Sequence, residues 1–412
     1  MINRNITPVI LDALSDSPVV LLNGARQTGK STLAKWLAQG PHPARYLTFD
    51  DATVFAAAQH DPAGFLAGIE GNVILDEVQR VPELFMAIKA EVDRNRVSGR
   101  FLLTGSTNIL LLPRLSESLA GRMEILTLWP FSQGEVDGRQ ENFVDAAFDD
   151  KPSSYKKNTE DRARLVKRIF TGGYPEILKR PAFTRRKAWF GSYITTILQR
   201  DVRDLANIEG LTEMPRLLSL LATRAASLLN FSELSRSCGI PQSTLKRYMT
   251  LLNTTFMITL LPAWSGNLGK RLVKAPKCFL NDTGLTAHLL GIDEGRIRDE
   301  TPLIGPLLEN FVVLELLKQS TWTNIQPNLF HFRTQTGHEV DIIMEDSGGR
   351  IVGIEIKAAK SLGSKDFRSL QILQDTLGNR FRRGIVLYTG TEGISFGKNM
   401  FALPVQSLWT KY

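Results

Sequence analysis

The chain holds 412 residues, 43% of them hydrophobic and 22% charged, the balance of an ordinary soluble globular protein with two or three domains rather than one core. Its two cysteines, Cys238 and Cys278, stand outside any metal-ligand spacing, which argues against a disulfide framework and for a reducing, cytoplasmic setting. A net charge of +8 suggests an acidic partner, whereas the N-terminal stretch lacks a signal-like apolar segment and no apolar run is long enough for a membrane span, so no membrane partner is expected.

The first expected element is a buried strand at Val19 to Leu22. It is followed by GARQTGKS at 24–31, a G-x-x-x-x-G-K-S pattern, and by a helix starting near Lys30. Strand, glycine loop and helix N-terminus in that order aim backbone N–H groups at one point, which suits a polyphosphate. Gly24, Ala25, Arg26, Gln27, Thr28, Gly29 and Thr32 would line the phosphates. Lys30 would reach the β/γ oxygens, and the Ser31 hydroxyl would hold Mg²⁺. The site implies a nucleoside triphosphate.

Further short apolar strands are expected at 45–49, 72–77, 100–106 and 123–128, alternating with helical or polar stretches, which indicates a parallel sheet covered on both faces. VILDE ends the strand at 72–77. Asp76 would hold the Mg²⁺ water shell, and Glu77 would polarise the attacking water. Thr104 and Ser106, at the end of the next strand, read either as a γ-phosphate sensor or as turn residues. Arg122 in SLAGR reads as a transition-state arginine acting in cis or in a neighbouring subunit of a homo-oligomer, or as a surface cation.

GARQTGKS, LDEVQRVPEL, LLTGS and SLAGR, followed by GGYPE at 172–176 and LQRDV, resemble the prokaryotic AAA-type ATPases that carry a C-terminal DUF4143 domain. The resemblance covers essentially the whole chain. It implies an ATP-binding AAA core, a winged-helix segment and a nuclease-like C-terminal fold. Adenine rather than guanine rests on this resemblance, since no N-K-x-D motif stands in a suitable place.

The fold class expected is thus α/β. A P-loop ATPase domain at 1–137 is followed by a polar linker or insertion at 138–164 and a helical lid at 165–214. A basic winged-helix-like domain at 215–277 and a restriction-endonuclease-like domain at 278–412 complete the chain. In the lid, Arg200 and Arg203 either reach the phosphates or lie on the surface. Between Arg216 and Leu280 there are nine basic residues and one acidic one, so this segment accounts for the whole net charge. Three short helices with Gly239 at the turn and Pro241 opening the third suggest helix-turn-helix geometry. Lys246 and Arg247 on the third helix, with Lys270, Arg271 and Lys274 at a wing tip, would meet a DNA backbone. The alternative is a lid or docking surface.

The stretch at 338–360 reads as a β-hairpin whose period-two alternation puts Glu355 and Lys357 on one face. With Asp341 opposite and Glu309 on a preceding helix, the set matches a PD-(D/E)xK nuclease site. Asp341 and Glu355 would ligate Mg²⁺ with the Ile356 carbonyl, and Lys357 would orient or deprotonate water. An inert module that binds DNA or protein is the alternative, in which ATP gates assembly without nucleic-acid chemistry.

Overall fold

The computed structural model describes residues 2–107, 119–149, 160–202, 212–267, 269, 271, 274–299, 303–334 and 336–410, with the backbone alone at 200, 201 and 297–299. Arg203 and Lys270 lie outside the described residues, and the side chain of Arg200 does too.

Five strands form an N-terminal parallel sheet: β1 (Val19–Asn23), β2 (Arg45–Thr48), β3 (Val73–Asp76), β4 (Phe101–Gly105) and β5 (Met123–Thr127), in the order β2-β3-β4-β1-β5. Every residue of β1 is buried, as a strand covered on both faces requires. Val19 and Leu21 pack with Phe85 and Ile88 of the helix Leu84–Arg94 on one face. On the other, Val20 and Leu22 pack with Ile10 of the helix Thr7–Asp16 and with Leu33 and Leu37 of the helix Lys30–Gln39. The placement of β4 between β1 and β3 sets the ends of all three strands side by side, which is what assembles the site.

The helices Arg162–Thr171, Pro175–Leu178 and Phe183–Thr196 follow, and a π-helical stretch at Ile197–Val202 ends this lid. A small α/β unit comes next: the helix Met214–Thr223, β6 (Ser227–Leu228), the helices Phe231–Cys238 and Gln242–Thr254, then β7 (Ile258–Leu261) and β8 (Lys277–Leu280). Its antiparallel sheet runs β6-β8-β7. Gly239 ends the helix before the turn with φ 72°, a left-handed cap that glycine adopts without strain.

The C-terminal sheet contains β9 (Asn328–Arg333), β10 (Glu339–Glu345), β11 (Ile351–Lys357), β12 (Phe381–Tyr388), β13 (Ile394–Ser395) and β14 (Met400–Pro404), ordered β13-β14-β12-β11-β10-β9. The β9-β10-β11 meander is antiparallel, and β11, β12 and β14 are parallel. The helix Ile304–Gln319 covers one face and the helix Arg368–Leu377 the other.

Three boundaries expected from sequence need correction. The segment 138–164 is not simply a linker: Phe143, Val144, Ala147 and Phe148 form a helix buried in the same core as Leu308, Ile354 and Leu387 of the C-terminal unit. Its backbone carbonyls also receive Arg383, whose guanidinium donates to Ala146 O and Asp149 O at 2.8 and 2.9 Å. A boundary at 277/278 would cut β8, which pairs with both β6 and β7. Finally, the chain between β7 and the expected wing tip does not stay within its own unit. Ala263 bridges to His331 of β9, and Trp264 is buried against Phe332 and Val340.

Candidate nucleotide site and carboxylate cluster

The P-loop leaves β1 and turns at Gly24, where φ is 145° and an added Cβ would stand 2.3 Å from the Leu128 carbonyl oxygen. Glycine is therefore required here both for its backbone angle and for the close approach. Gln27 has φ 61°, and Gly29 caps the helix at φ 98°, so the loop's N–H groups turn inward at the helix N-terminus. Lys30 is buried, and its ammonium donates to Gly24 O and Ala25 O, each at 2.8 Å.

Opposite the loop, Asp76 collects three hydroxyl donors. Ser31 Oγ lies 3.1 Å from Oδ1, Tyr46 OH lies 2.5 Å from Oδ2, and Thr104 Oγ1 donates to Oδ1. Burial and the Asp76 carboxylate raise the Tyr46 phenol well above its ordinary value, so it stays protonated and donating. Glu77 follows in a left-handed conformation with φ 61°, its N–H bonded to Thr104 Oγ1 at 3.2 Å. Gln79 Nε2 donates to the Glu77 carboxylate and, at 3.0 Å, to Ser106 Oγ. Thr104 and Ser106 thus orient the acidic pair through Asp76, Glu77 and Gln79, rather than standing as bare strand-end hydroxyls. Ser31 and Asp76 converge as a Mg²⁺ pair requires, so the residues present fit that ion.

The lid roofs this loop. A cleft of about 1050 Å³ is lined by residues 26–33 and Glu77 on one side and by Trp189, Ser192, Tyr193 and Thr196 on the other, with Ile2, Arg4 and Phe131 at its edge. Trp189 and Tyr193 stack at 5.0 Å, and Tyr193 OH donates to Arg26 O at 3.4 Å. Arg4, Tyr46, Gln79, Trp189 and Tyr193 were not singled out from the sequence. Only the aromatic spacing Trp189-x-x-x-Tyr193, one helical turn, offered a signal.

Arg122 is corrected as a cis residue. Met123 is level with Val19, so Arg122 stands where the strands begin, whereas the P-loop follows their ends. There it pairs with Asp93 at 2.5 Å.

Arg4 also ties the loop to the rest of the chain. Its guanidinium donates to Thr28 O at 3.3 Å and to Trp129 O at 2.5 Å, and pairs with Glu135 at 3.2 Å. One residue away, Asn5 donates to Glu141, which also accepts from Gly134 N at 2.7 Å. Gln133 N donates to Glu315 of the C-terminal helix at 2.8 Å, and Glu315 pairs with Lys318 at 2.6 Å. Burial, then Glu315, raises the Glu141 carboxyl to about 8.

Of the expected DNA contacts, Lys246, Arg247 and Lys274 are exposed, the first two beside Gln242, Ser243 and Thr250 on the helix Gln242–Thr254. Arg271 is corrected. It lies between the Trp264 and Phe330 rings and is bidentate to Glu345 at 2.6 and 3.1 Å. Arg224 pairs with Glu233 at the surface, and Lys277 is buried, so two of the nine counted cations, Arg271 and Lys277, are spent inside the fold.

The second expected site does come together: Glu309, Asp341, Glu355 and Lys357 converge, with Glu339 and Lys277 among them. A register shift in β10 between Val340 and Ile343 frees Asp341 from the ladder, and its Oδ2 accepts from Ile356 N at 2.8 Å. Lys357 pairs with Glu355 at 3.3 Å. The Lys277 ammonium lies 2.7 Å from Glu309, 2.6 Å from Glu339 and 3.6 Å from Asp341. Burial alone would depress Lys277, but Glu309 and Asp341 more than reverse this. Glu355 and Asp341 likewise hold Lys357 above its usual value against its burial. Burial, then Asp341, raises Glu309 and Glu355. Among the described residues, no group of three or more His, Cys, Asp or Glu is arranged to hold a metal ion. The expected Mg²⁺ ligands Asp341 and Glu355 stand beside the Lys277 ammonium, which lies 3.6 Å from Asp341.

A parallel sheet with β4 between the P-loop strand and the acidic strand, a P-loop lysine and an aspartate–glutamate pair define a P-loop NTPase of the AAA type. Residues 16–137 match the family described as an AAA domain, 162–296 match DUF8612 and 304–408 match DUF4143, the latter two both domains of unknown function. The chain belongs to the AAA-type ATPases with a C-terminal DUF4143 domain, and so to one family with the uncharacterized proteins Rv2008c of Mycobacterium tuberculosis and Mb2031c of Mycobacterium bovis. Each is 33% identical over 406 residues, which is 97% of this chain and 82% of the relative. Among solved structures, the RuvB Holliday junction branch migration motor of Thermotoga maritima overlaps 63% of this chain and 89% of its own at 20% identity and a TM-score of 0.30. The Drosophila ORC structure bound to AT-rich DNA and Cdc6 overlaps 72% of this chain and 90% of its own at 10% identity and a TM-score of 0.21. No helix among the described residues is long and apolar enough to cross a membrane.

Proposed function

We propose that the chain is an ATP-driven switch that acts on DNA, its nucleotide state read by the lid and passed to the two units that follow. The observation that carries this reading is the cleft in which Lys30, Ser31 and Glu77 face the lid's Trp189 and Tyr193, with Asp76 bonded to Ser31. ATP would take its phosphates on the loop N–H groups and Lys30, with the purine against the lid aromatics. Mg²⁺ held by Ser31 and Asp76 would neutralise the β/γ oxygens. Glu77, steadied by Gln79, would then orient the attacking water. Arg122 would serve a neighbouring subunit's γ-phosphate, since its own lies at the far end of the sheet.

The DNA part rests on the small unit at 214–280. Its order of helix, strand, two helices and two strands is that of a winged helix, and the helix Gln242–Thr254 turns Gln242, Ser243, Lys246 and Arg247 outward. Lys270 and Lys274 would add backbone contacts beside it, and Arg271 would not. The helix Ile304–Gln319 over an antiparallel meander supports a nuclease-like plan for the C-terminal unit, but the Lys277 ammonium within the carboxylate cluster favours the second reading, an inert module that docks DNA or protein.

Purified protein with Mg²⁺ and ATP should turn over ATP, and Lys30→Ala should abolish this. Lys246→Glu with Arg247→Glu should weaken DNA binding at least tenfold and flatten its dependence on salt. Full ATP turnover by Lys30→Ala would refute the nucleotide site, and unchanged DNA affinity in the double variant would refute the DNA face.

A further inference from the structure

The C-terminal cluster brings at least four carboxylates, Glu309, Glu339, Asp341 and Glu355, onto one side of β10 and β11. A group of this kind ordinarily needs a cation. Here the chain supplies one from outside the C-terminal unit. Lys277 opens β8 of the preceding unit, and its ammonium stands within 3.6 Å of Glu309, Glu339 and Asp341. Lys357 pairs with Glu355, and Arg333 lies 3.9 Å from Glu339. Three cations thus face four carboxylates.

We infer that the Lys277 ammonium neutralises Glu309, Glu339 and Asp341 in place of a divalent cation, so that the C-terminal cluster is filled by the chain's own charge and does no metal chemistry. Three observations fix the lysine in place. Its side chain is 3% exposed. Its backbone is held on both edges, level with Leu228 of β6 and Leu261 of β7. Further along the same strand, Asn310 of the helix that bears Glu309 clasps Leu280, accepting from Leu280 N at 3.1 Å and donating to Leu280 O at 2.8 Å. The ladder fixes where the side chain starts, and to swing out the ammonium would have to leave Glu309 and Glu339. A divalent ion entering beside it would meet a like charge and four carboxylates that each already hold a cation or an amide on at least one oxygen. Asp341 in particular has Oδ2 on the Ile356 amide and Oδ1 facing the ammonium. The four carboxylates and Lys357 that invite a nuclease assignment are thus balanced by a residue 32 positions upstream of Glu309. This inference does not depend on the nucleotide site or on the DNA face.

The test uses the full chain without nucleotide and Mn²⁺ as the probe, with free ion followed by electron paramagnetic resonance. Wild type, Asp341→Asn, Lys277→Met and the double variant share whatever the P-loop domain binds. Wild type and Asp341→Asn should bind Mn²⁺ alike. Lys277→Met, which keeps the side chain's length and removes its charge, should gain one further ion per chain with at least tenfold higher affinity than any Asp341-dependent site in wild type. The double variant should lose that gain. An ion bound by wild type and lost in Asp341→Asn would overturn the inference, as would a folded Lys277→Met that gains nothing. Should Lys277→Met fail to fold, the wild-type and Asp341→Asn pair decides alone.

Discussion

Glu141 offers a quantitative test of the buried network between the P-loop and the C-terminal helix. Its carboxyl is buried, bonded to Gly134 N and Asn5, and shares its surroundings with Glu135 and Glu315, while Arg4 and Lys318 supply the nearby positive charge. The ordinary value is 4.5 and the folded value about 8. Between these the folded protein keeps a proton that the unfolded chain has lost. The linked stability is therefore complete below pH 4.5 and is lost as pH rises through about 8. At about 1.4 kcal/mol per pH unit the full span approaches roughly 5 kcal/mol, and relaxation of the site brings the expected loss to about 2–4 kcal/mol. Glu141→Gln removes the proton while keeping an acceptor for the Gly134 N–H, and Asn5 can rotate its amide to accept from the new N–H. Urea unfolding of both proteins from pH 5 to pH 9 should show similar stability at the acid end. The glutamine variant should gain by about 2–4 kcal/mol at the alkaline end, with most of the change between pH 6 and pH 8. Parallel pH profiles would refute the reasoning, for then Glu141 would be ionised in the folded protein throughout.

Two further outcomes follow from local geometry. Phe143→Ala should destabilise the protein by about 3–5 kcal/mol, because its ring is buried where the C-terminal helix and sheet meet; a cost within about 0.5 kcal/mol in thermal or urea unfolding would return the segment to the status of a linker. Gly24→Ala should weaken nucleotide binding at least tenfold by calorimetry, since its Cβ would stand 2.3 Å from Leu128 O with φ at 145°; wild-type affinity would mean that the loop does not need this approach.

The ATPase half was legible because its physics is local. A strand buried on both faces is mostly apolar, and the loop spends glycine at 24 and 29, where φ is positive, so 19–31 could be read directly. The aspartate–glutamate pair was legible for the same reason, standing at the end of a four-residue apolar strand. Tyr46 and Arg4 were not, because nothing near them in sequence marks them; each acts on a group that only the sheet order brings within reach. Charge counting failed in the middle segment for a related reason. The acids that neutralise Arg271 and Lys277 are Glu345, Glu309 and Glu339, all supplied by the C-terminal unit, so a local surplus of cations did not mean a free basic surface. The helix at 143–148 was misjudged because its polar neighbours mask a short apolar face whose partners lie far along the chain.

Lys30 and Lys277 show why one motif is informative and the other misleads. Both are buried lysines bonded to oxygen, but the oxygens differ. Lys30 donates to two neutral carbonyls of its own loop, acceptors that a phosphate bearing full negative charge outcompetes. Lys277 rests on three carboxylates gathered from a helix and a strand, at the edge-locked start of β8, and no incoming group offers it more negative charge than it already has. The first lysine is therefore poised to exchange partners and the second is not. A pattern of residue types records which side chains meet, but the partners of the cation decide whether the meeting place is open to a ligand. In the proposed function, that distinction leaves turnover to the N-terminal site and keeps the C-terminal cluster closed to metal.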